Sequence, residues 1–144
     1  MQIISAPSGP GSLRIDLRCD LHEVRPAADV FRDFLSGAGW PQADLMDCEL
    51  AFVEACNNAI EYVDPSAAEQ PVTVEASVNP AELELRITDH TRGFEWPQKP
   101  VLPNPESERG RGLFLIRTVM DEAIYSRRAG ENTLLLRKKR TASN

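Results

Sequence analysis

Residues 44–63 read DLMDCELAFVEACNNAIEYV and contain apolar residues at steps of three and four. Such a spacing places the apolar side chains in one stripe along an α-helix, and it predicts that the stripe faces the core. Asp44 is expected to act as the N-cap, and Asp47 favours the positive end of the helix dipole. The stripe consists of Leu45, Cys48, Phe52, Ala55 or Cys56, Ala59 and Val63.

Three polar side chains follow one edge of this predicted helix. Glu54, Asn58 and Tyr62 are spaced four residues apart, so they stack on successive turns of the same face. A carboxylate and a carboxamide one turn apart can accept a proton and bind a hard cation beside an apolar wall. A solvated helix edge has the same spacing, and the pair alone does not distinguish the two interpretations.

The length and composition indicate one globular domain. A chain of 144 residues, 42% hydrophobic and 26% charged, can bury a core without disulfides or metal. The net charge of −6 argues against general binding to nucleic acid or to an anionic membrane surface. No apolar run approaches the ~18 residues of a membrane span, and the first residues lack the pattern of a signal peptide. We therefore expect no direct nucleic-acid partner and no membrane partner.

The three cysteines are expected to be free thiols. Their odd number and their spacing fit neither a disulfide framework nor a zinc motif. Cys48 and Cys56 belong to the apolar stripe and are interpreted as small buried side chains. A reducing cytoplasm is the expected location of such a chain.

The segment before residue 44 predicts a leader, a strand and a helix. Residues 1–11 are rich in Ser, Pro and Gly and are expected to form a loose leader. The alternation over 13–17 predicts a half-buried strand. A helix is expected from about Glu23 to Leu35, ended by Gly37 and Gly39. Its inward residues are Val24, Ala27 or Ala28, Phe31 and Leu35.

The segment after residue 63 predicts two hairpins separated by a loop and a helix. Alternating residues over 72–78 and 83–87 form the first hairpin, which leads directly to Asp89. Residues 90–109 lack periodicity and contain four prolines, which favour a stiffened surface loop over an SH3-type ligand. A short apolar helix follows Gly112, and a hairpin over 123–136 closes the domain. The basic residues 137–140 are interpreted as a solvated tail.

This order of elements predicts an α+β fold over residues 12–140. Strands joined mostly as hairpins form a mixed, mostly antiparallel sheet, and helices gathered on one face complete a two-layer α/β sandwich.

Two further segments carry candidate functional residues. DHTRGF, residues 89–94, follows a strand, and its aspartate can accept a hydrogen bond from an exocyclic amine. A β-turn that uses Asp and Gly is the alternative. RGRGLFLI, residues 109–116, places two glycines at the start of a helix, where backbone amides and the helix dipole attract an anion. A flexible hinge is the alternative there.

The order and separation of the three segments resemble the N, G1 and G2 boxes of the Bergerat-fold ATPases. EACNNAIEY is most similar to the N box of the bacterial anti-sigma-factor serine kinases, which commonly reads E-A-x-x-N-A-x-x-H. RGRGLFLIRTVMDE resembles the G-x-G-L-x-L-I…M-D-E run of the same group. The resemblance covers residues 13–137 and implies the Bergerat ATP-binding fold.

The resemblance also implies roles for individual residues. Glu54 corresponds to the general base, Asn58 to the Mg²⁺ ligand and Asp89 to the residue that recognises adenine. Gly93 belongs to the adenine pocket, and residues 90–109 form the ATP lid. The phosphate side of the nucleotide is assigned to Arg109, Gly110, Arg111, Gly112 and Leu113.

Two positions depart from the family pattern. Thr91 stands where the first glycine of the G1 box is expected, and its side chain restricts the backbone there. Tyr62 stands where the N box ends in histidine, a position with an indirect role.

The function that the resemblance implies is an ATP- and Mg²⁺-dependent protein-serine kinase that is also an anti-sigma factor. Its implied partners are a sigma factor and a STAS-type anti-anti-sigma protein, and the group tends to form homodimers. No helical dimerisation domain with a phospho-acceptor histidine is visible, which disfavours histidine kinase chemistry. A non-catalytic ATP-binding adaptor of the same fold is the alternative, and Thr91 is the residue that favours it.

Overall fold

The computed structural model describes residues 2–5, 11–61, 69–90, 108–128 and 130–141. Three α-helices are present in these ranges: α1 (Val24–Gly37), α2 (Gln42–Glu61) and α3 (Glu108–Val119). A 3-10 turn, Leu21–Glu23, precedes α1. The six strands are β1 (Gln2–Ser5), β2 (Ser12–Leu17), β3 (Val72–Val78), β4 (Glu82–Asp89), β5 (Glu122–Arg128) and β6 (Glu131–Lys139).

The strands form one sheet in the order β1-β2-β3-β4-β6-β5. Within the described ranges, the five pairings between neighbouring strands are antiparallel, in agreement with the mostly antiparallel sheet that the sequence predicts. Hairpins account for most of these pairings, and only β6 joins non-sequentially, beside β4. Gly130 adopts a φ of +80° in the turn between β5 and β6, where glycine carries no steric penalty.

One face of the sheet packs against the helices and forms the core. Every second residue of β2, β3, β4 and β6 is buried on this face, as the alternation predicted. The inward residues of α1 are all buried, and the rings of Phe31 and Phe52 stack at a centroid distance of 4.8 Å, which joins α1 to α2. The predicted two-layer α+β sandwich is therefore confirmed.

The stripe of α2 is buried as predicted, but Asp44 is not an N-cap. The helix begins at Gln42, and the Asp44 carboxylate is buried in the first turn with 1% of the residue exposed. It accepts hydrogen bonds from the backbone N–H and the hydroxyl of Thr141. The carboxylate therefore ties α2 to the end of the chain. Tyr62 and Val63 lie outside the described residues.

Both ends of the chain differ from the sequence prediction. Residues 2–5, part of the predicted loose leader, form β1 and pair with β2. The basic residues 137–140 are not a solvated tail, because β6 extends to Lys139. The Lys138 ammonium donates to the carbonyl of Val119, and the Arg140 guanidinium donates to the carbonyl of Gly39. Both cationic side chains therefore lie along the domain, and their charged ends donate to backbone carbonyl groups.

Helix α3 also begins earlier than predicted. The glycines were expected to precede the helix, whereas the helix begins at Glu108 and includes Gly110 and Gly112. Within the described ranges, no helix is long and apolar enough to cross a membrane.

Candidate functional site

Helix α2 presents Glu54 and Asn58 one turn apart on the face that meets α3. Glu54 is half-buried, and Asn58 is only 8% exposed. The Asn58 Nδ2 atom is buried and has no hydrogen-bond partner among the described residues. Since the oxygen and nitrogen of an amide are assigned from their neighbours, the atom at this unpartnered position can equally be the amide oxygen, which can accept from or coordinate a ligand.

Gly112 brings α3 directly against these two side chains. A Cβ atom at position 112 would stand 2.8 Å from Glu54 Oε2 and 3.3 Å from Asn58 Nδ2. The first distance is shorter than real Cβ contacts, so any residue other than glycine would displace the Glu54 carboxylate or the helix. The absence of a side chain at Gly112 therefore leaves the Glu54 carboxylate its place against α3.

Asp89 is the last residue of β4 and is 9% exposed. Its Oδ1 atom accepts a 2.8 Å hydrogen bond from Nδ2 of Asn132, the residue opposite it on β6. Asn132 is fully buried and was missed by the sequence analysis. The sequence does contain a sign of its role. Asn132 alternates with Leu134 and Leu136 and therefore faces the core with them, where a polar side chain is unusual.

A small cavity brings the three sequence segments together. Asn58 from α2, Asp89 from β4 and Leu113 from α3 all line it. Its remaining walls are mostly apolar and are formed by Ala55, Ala59, Ile87, Tyr125 and Leu134. Mostly apolar walls with a few polar groups are typical of sites that bind small organic molecules. The residues predicted to share one cleft therefore lie on the same side of the sheet.

The other predicted residues lie at the start of α3 or outside the described ranges. Arg109, Gly110 and Arg111 form the first turn of α3, where backbone N–H groups lack carbonyl partners within the helix and attract anions. Gly112 lies one turn further along α3, and its place on the phosphate side stays a prediction. Gly93 and Thr91, with most of the expected lid, lie outside the described residues.

The charge of Asp89 affects a thiol at the end of β2. Burial, and then the negative charge of Asp89, raise the pKa of Cys19. Burial alone raises the pKa of Cys56 on α2 to about 12. All three cysteines are free, and Cys48 and Cys56 are buried as predicted.

The residues present fit the Mg²⁺ ion that the family resemblance implies. Among the described residues, no three His, Cys, Asp or Glu side chains converge as a metal cage. Mg²⁺ commonly takes one or two protein oxygens, with the remaining positions filled by phosphate oxygens and water. The Asn58 side chain, with its unpartnered amide atom, can supply one such oxygen.

A family model for the histidine kinase-like ATPase domain matches residues 17–138. The curated relatives include the serine-protein kinase RsbW of Bacillus velezensis, which is 31% identical over 114 residues. That alignment covers 70% of this chain and 71% of the relative. The serine-protein kinase RsbW of Bacillus subtilis is 29% identical over 114 residues, with the same coverage.

Solved structures share the fold at lower identity. The RsbU and RsbW domains of a Mycobacterium tuberculosis protein superpose with a TM-score of 0.68 at 19% identity, over 91% of this chain and 33% of that chain. The SiaB–SiaC complex of Pseudomonas aeruginosa gives a TM-score of 0.63 at 15% identity, over 88% of this chain and 89% of that chain. The chain belongs to the histidine kinase-like ATPase domain family and, within it, to the group of RsbW serine-protein kinases.

Proposed function

We propose that this protein is an ATP- and Mg²⁺-dependent serine kinase that phosphorylates a STAS-type anti-anti-sigma protein and also binds a sigma factor. The observation that carries the proposal is the convergence of Asn58, Asp89 and Leu113 on one cavity, with Gly112 against Glu54 and Asn58. Family membership and the names of the RsbW relatives support the serine kinase activity.

Each converging residue has a proposed role. Asp89 accepts a hydrogen bond from the exocyclic amine of adenine, and the apolar cavity walls contact the ring. The Asn58 oxygen would hold Mg²⁺, which would supply positive charge that offsets the charge of the phosphate groups. Glu54 accepts the proton of the substrate serine hydroxyl, for which its carboxylate must come within roughly 3 Å of that hydroxyl in the complex.

The phosphate groups are proposed to lie at the start of α3. Amides of its first turn, near Arg109 and Gly110, donate to phosphate oxygens at the positive end of the helix dipole. Arg109 and Arg111 are proposed to add positive charge, and residues 90–109 to cover the nucleotide as a lid. Leu113 closes the apolar side of the cavity.

Incubation with radiolabelled ATP, Mg²⁺ and a STAS-domain protein from the same genome tests the proposal. Wild-type protein is expected to form phosphoserine on the STAS protein, and Glu54→Gln to lower the rate by about 10²–10⁴-fold. Glu61→Gln is the matched control, because Glu61 is an exposed glutamate at the end of the same helix. ATP binding without phosphoserine would favour the non-catalytic adaptor, and absence of ATP binding would refute the kinase.

A further inference from the structure

The outer face of the sheet carries an apolar patch at the edge formed by β5. This strand is the last of the sheet, and within the described ranges only β6 pairs with it. Tyr125 lines the cavity on the helix side, so its neighbours Ile124 and Ser126 point to the opposite face. Ile124 is 46% exposed and lies directly opposite the half-buried Leu135 of β6. These two apolar side chains line an open depression of about 470 Å³.

Three arginines surround this apolar patch. Arg86, Arg127 and Arg128 line the same depression. Within the described part of the chain, the side chains of Arg127 and Arg128 have no polar partner, and Arg86 has one contact of 3.5 Å with Glu84. Every other arginine with a described side chain has at least one partner. In a chain with a net charge of −6, the unpartnered arginines are therefore confined to one end of β5.

The free edge of β5 supplies a second element for binding. A strand at the edge of a sheet presents N–H and C=O groups that can pair with an added strand of another chain. Charged side chains on an edge can instead keep other strands away. An edge protected in that way would not need the exposed Ile124 beside its charges. The combination of an apolar patch, free cations and a free edge therefore favours binding over protection.

Two other partners fit these features less well. A second copy of the same edge offers Glu122 to the arginines, but Arg137 already holds that carboxylate at 2.8 Å. Nucleic acid is disfavoured by the net charge of −6 and by Glu131, which lines the same depression. We propose that the β5 edge binds an extended acidic segment of a partner protein, which adds to the sheet as a further strand.

The register of β5 defines the order of side chains in such a segment. In an antiparallel addition, residues directly opposite each other lie on the same face and interact. Acidic residues opposite Arg128 and Arg127 are then adjacent in the partner, and an apolar residue opposite Ile124 follows three positions after the second acid. The expected pattern in the partner is therefore acid-acid-x-x-apolar.

Titration of a synthetic peptide into the isotope-labelled full chain, followed by NMR, tests the inference. The peptide SEETVITS has the expected pattern, and SQQTVITS is the neutral control. The acidic peptide should shift the backbone amide signals of Glu122–Arg128. It should also bind about fivefold more tightly than the neutral peptide, because exposed charge pairs contribute modestly.

Charge reversal measures the part played by the arginines. Arg128→Glu is expected to weaken binding of the acidic peptide about tenfold and to strengthen binding of the basic peptide SKKTVITS. Arg14→Glu is the matched control, because Arg14 lies on the same outer face at the other end of the sheet and its replacement changes the net charge equally. This variant should bind the acidic peptide as the wild type does.

The outcomes separate this inference from the kinase proposal. Equal affinity of the wild type for the acidic and neutral peptides would overturn the inference, as would equal losses in Arg128→Glu and Arg14→Glu. Sedimentation velocity tests the second copy: a wild-type dimer that Arg128→Glu dissociates would show that the edge joins two copies, and it would also overturn the inference. Phosphate transfer to the STAS protein is measured separately, so its failure leaves the peptide result unaffected.

Discussion

Gly112 of α3 lies so close to Glu54 of α2 that a Cβ atom at position 112 would stand 2.8 Å from the Glu54 carboxylate. This contact joins two of the three sequence segments that form the site. It also explains a glycine in the second turn of a helix, a position where alanine would be more favourable by about 1 kcal/mol. The side chains of the proposed base and metal ligand occupy the space that a Cβ atom at position 112 would enter.

The substitution Gly112→Ala is expected to damage the site more than the fold. The added methyl group must displace Glu54, Asn58 or α3, and misplacement of a reacting group by about 1 Å can lower a rate about a hundredfold. Phosphate transfer to the STAS protein measures the effect. The higher helix propensity of alanine partly offsets the strain, so the melting temperature should change little.

Gly37→Ala is the control for this substitution. Gly37 ends α1, and a Cβ atom there would meet nothing within 4 Å. Alanine should leave phosphate transfer unchanged and keep stability within about 1 kcal/mol of the wild type. Equal activity of Gly112→Ala and Gly37→Ala would show that the close approach of α3 is not needed for the reaction.

The hydrogen bonds between Thr141 and Asp44 predict a contribution of the C-terminal segment to stability. Thr141→Val removes the hydroxyl that donates to Asp44 Oδ1 at 2.5 Å and leaves a buried carboxylate with one donor fewer. We expect a loss of about 1–2 kcal/mol in the free energy of unfolding, measured by urea denaturation. Thr118→Val makes the same chemical change at an exposed hydroxyl that donates to the carbonyl of Phe114. Similar losses for both variants would contradict a specific role for the Asp44 contact.

The thiols predict selective labelling at alkaline pH. Cys48 and Cys56 are buried, and their pKa values are raised to about 12, so both remain neutral at pH 8. Cys19 is partly exposed, although its pKa is also raised. A thiol-reactive reagent at pH 8 should therefore modify Cys19 first, at a rate below that of a free thiol. Mass spectrometry locates the label, and rapid modification of Cys56 in the folded protein would contradict its placement in the core.

The periodic parts of the fold were predictable from the sequence. The alternation in β2, β3, β4 and β6 marks strands with one buried face, and the three- and four-residue steps mark α1 and α2. Both patterns arise because every helix and strand buries its apolar side in the same core. For the same reason the spacing of Glu54 and Asn58 correctly placed them on one face of α2.

Features that depend on distant contacts were not predictable. Asp44 resembles an N-cap by local rules, but its partner Thr141 lies 97 residues further along the chain. The early start of α3 was missed because glycines usually end or precede helices, and only the contact with Glu54 accounts for Gly112 inside one. Asn132 is a polar residue among the core-facing residues of β6, and its role depends on a hydrogen bond to Asp89 on another strand.

Three separate segments of the chain are proposed to bind one magnesium-associated adenine nucleotide. Titration of ATP, with Mg²⁺ and with chelator, into the wild type and three variants tests this most directly. Asp89→Ala should weaken ATP binding at least tenfold in both conditions, since a buried acceptor for the base is lost. Asn58→Ala should remove the gain in ATP affinity that Mg²⁺ provides. Asn57→Ala is the control, because Asn57 is the neighbouring residue on α2, and this variant should bind ATP as the wild type does. Wild-type affinity in both Asp89→Ala and Asn58→Ala, with and without Mg²⁺, would contradict the account.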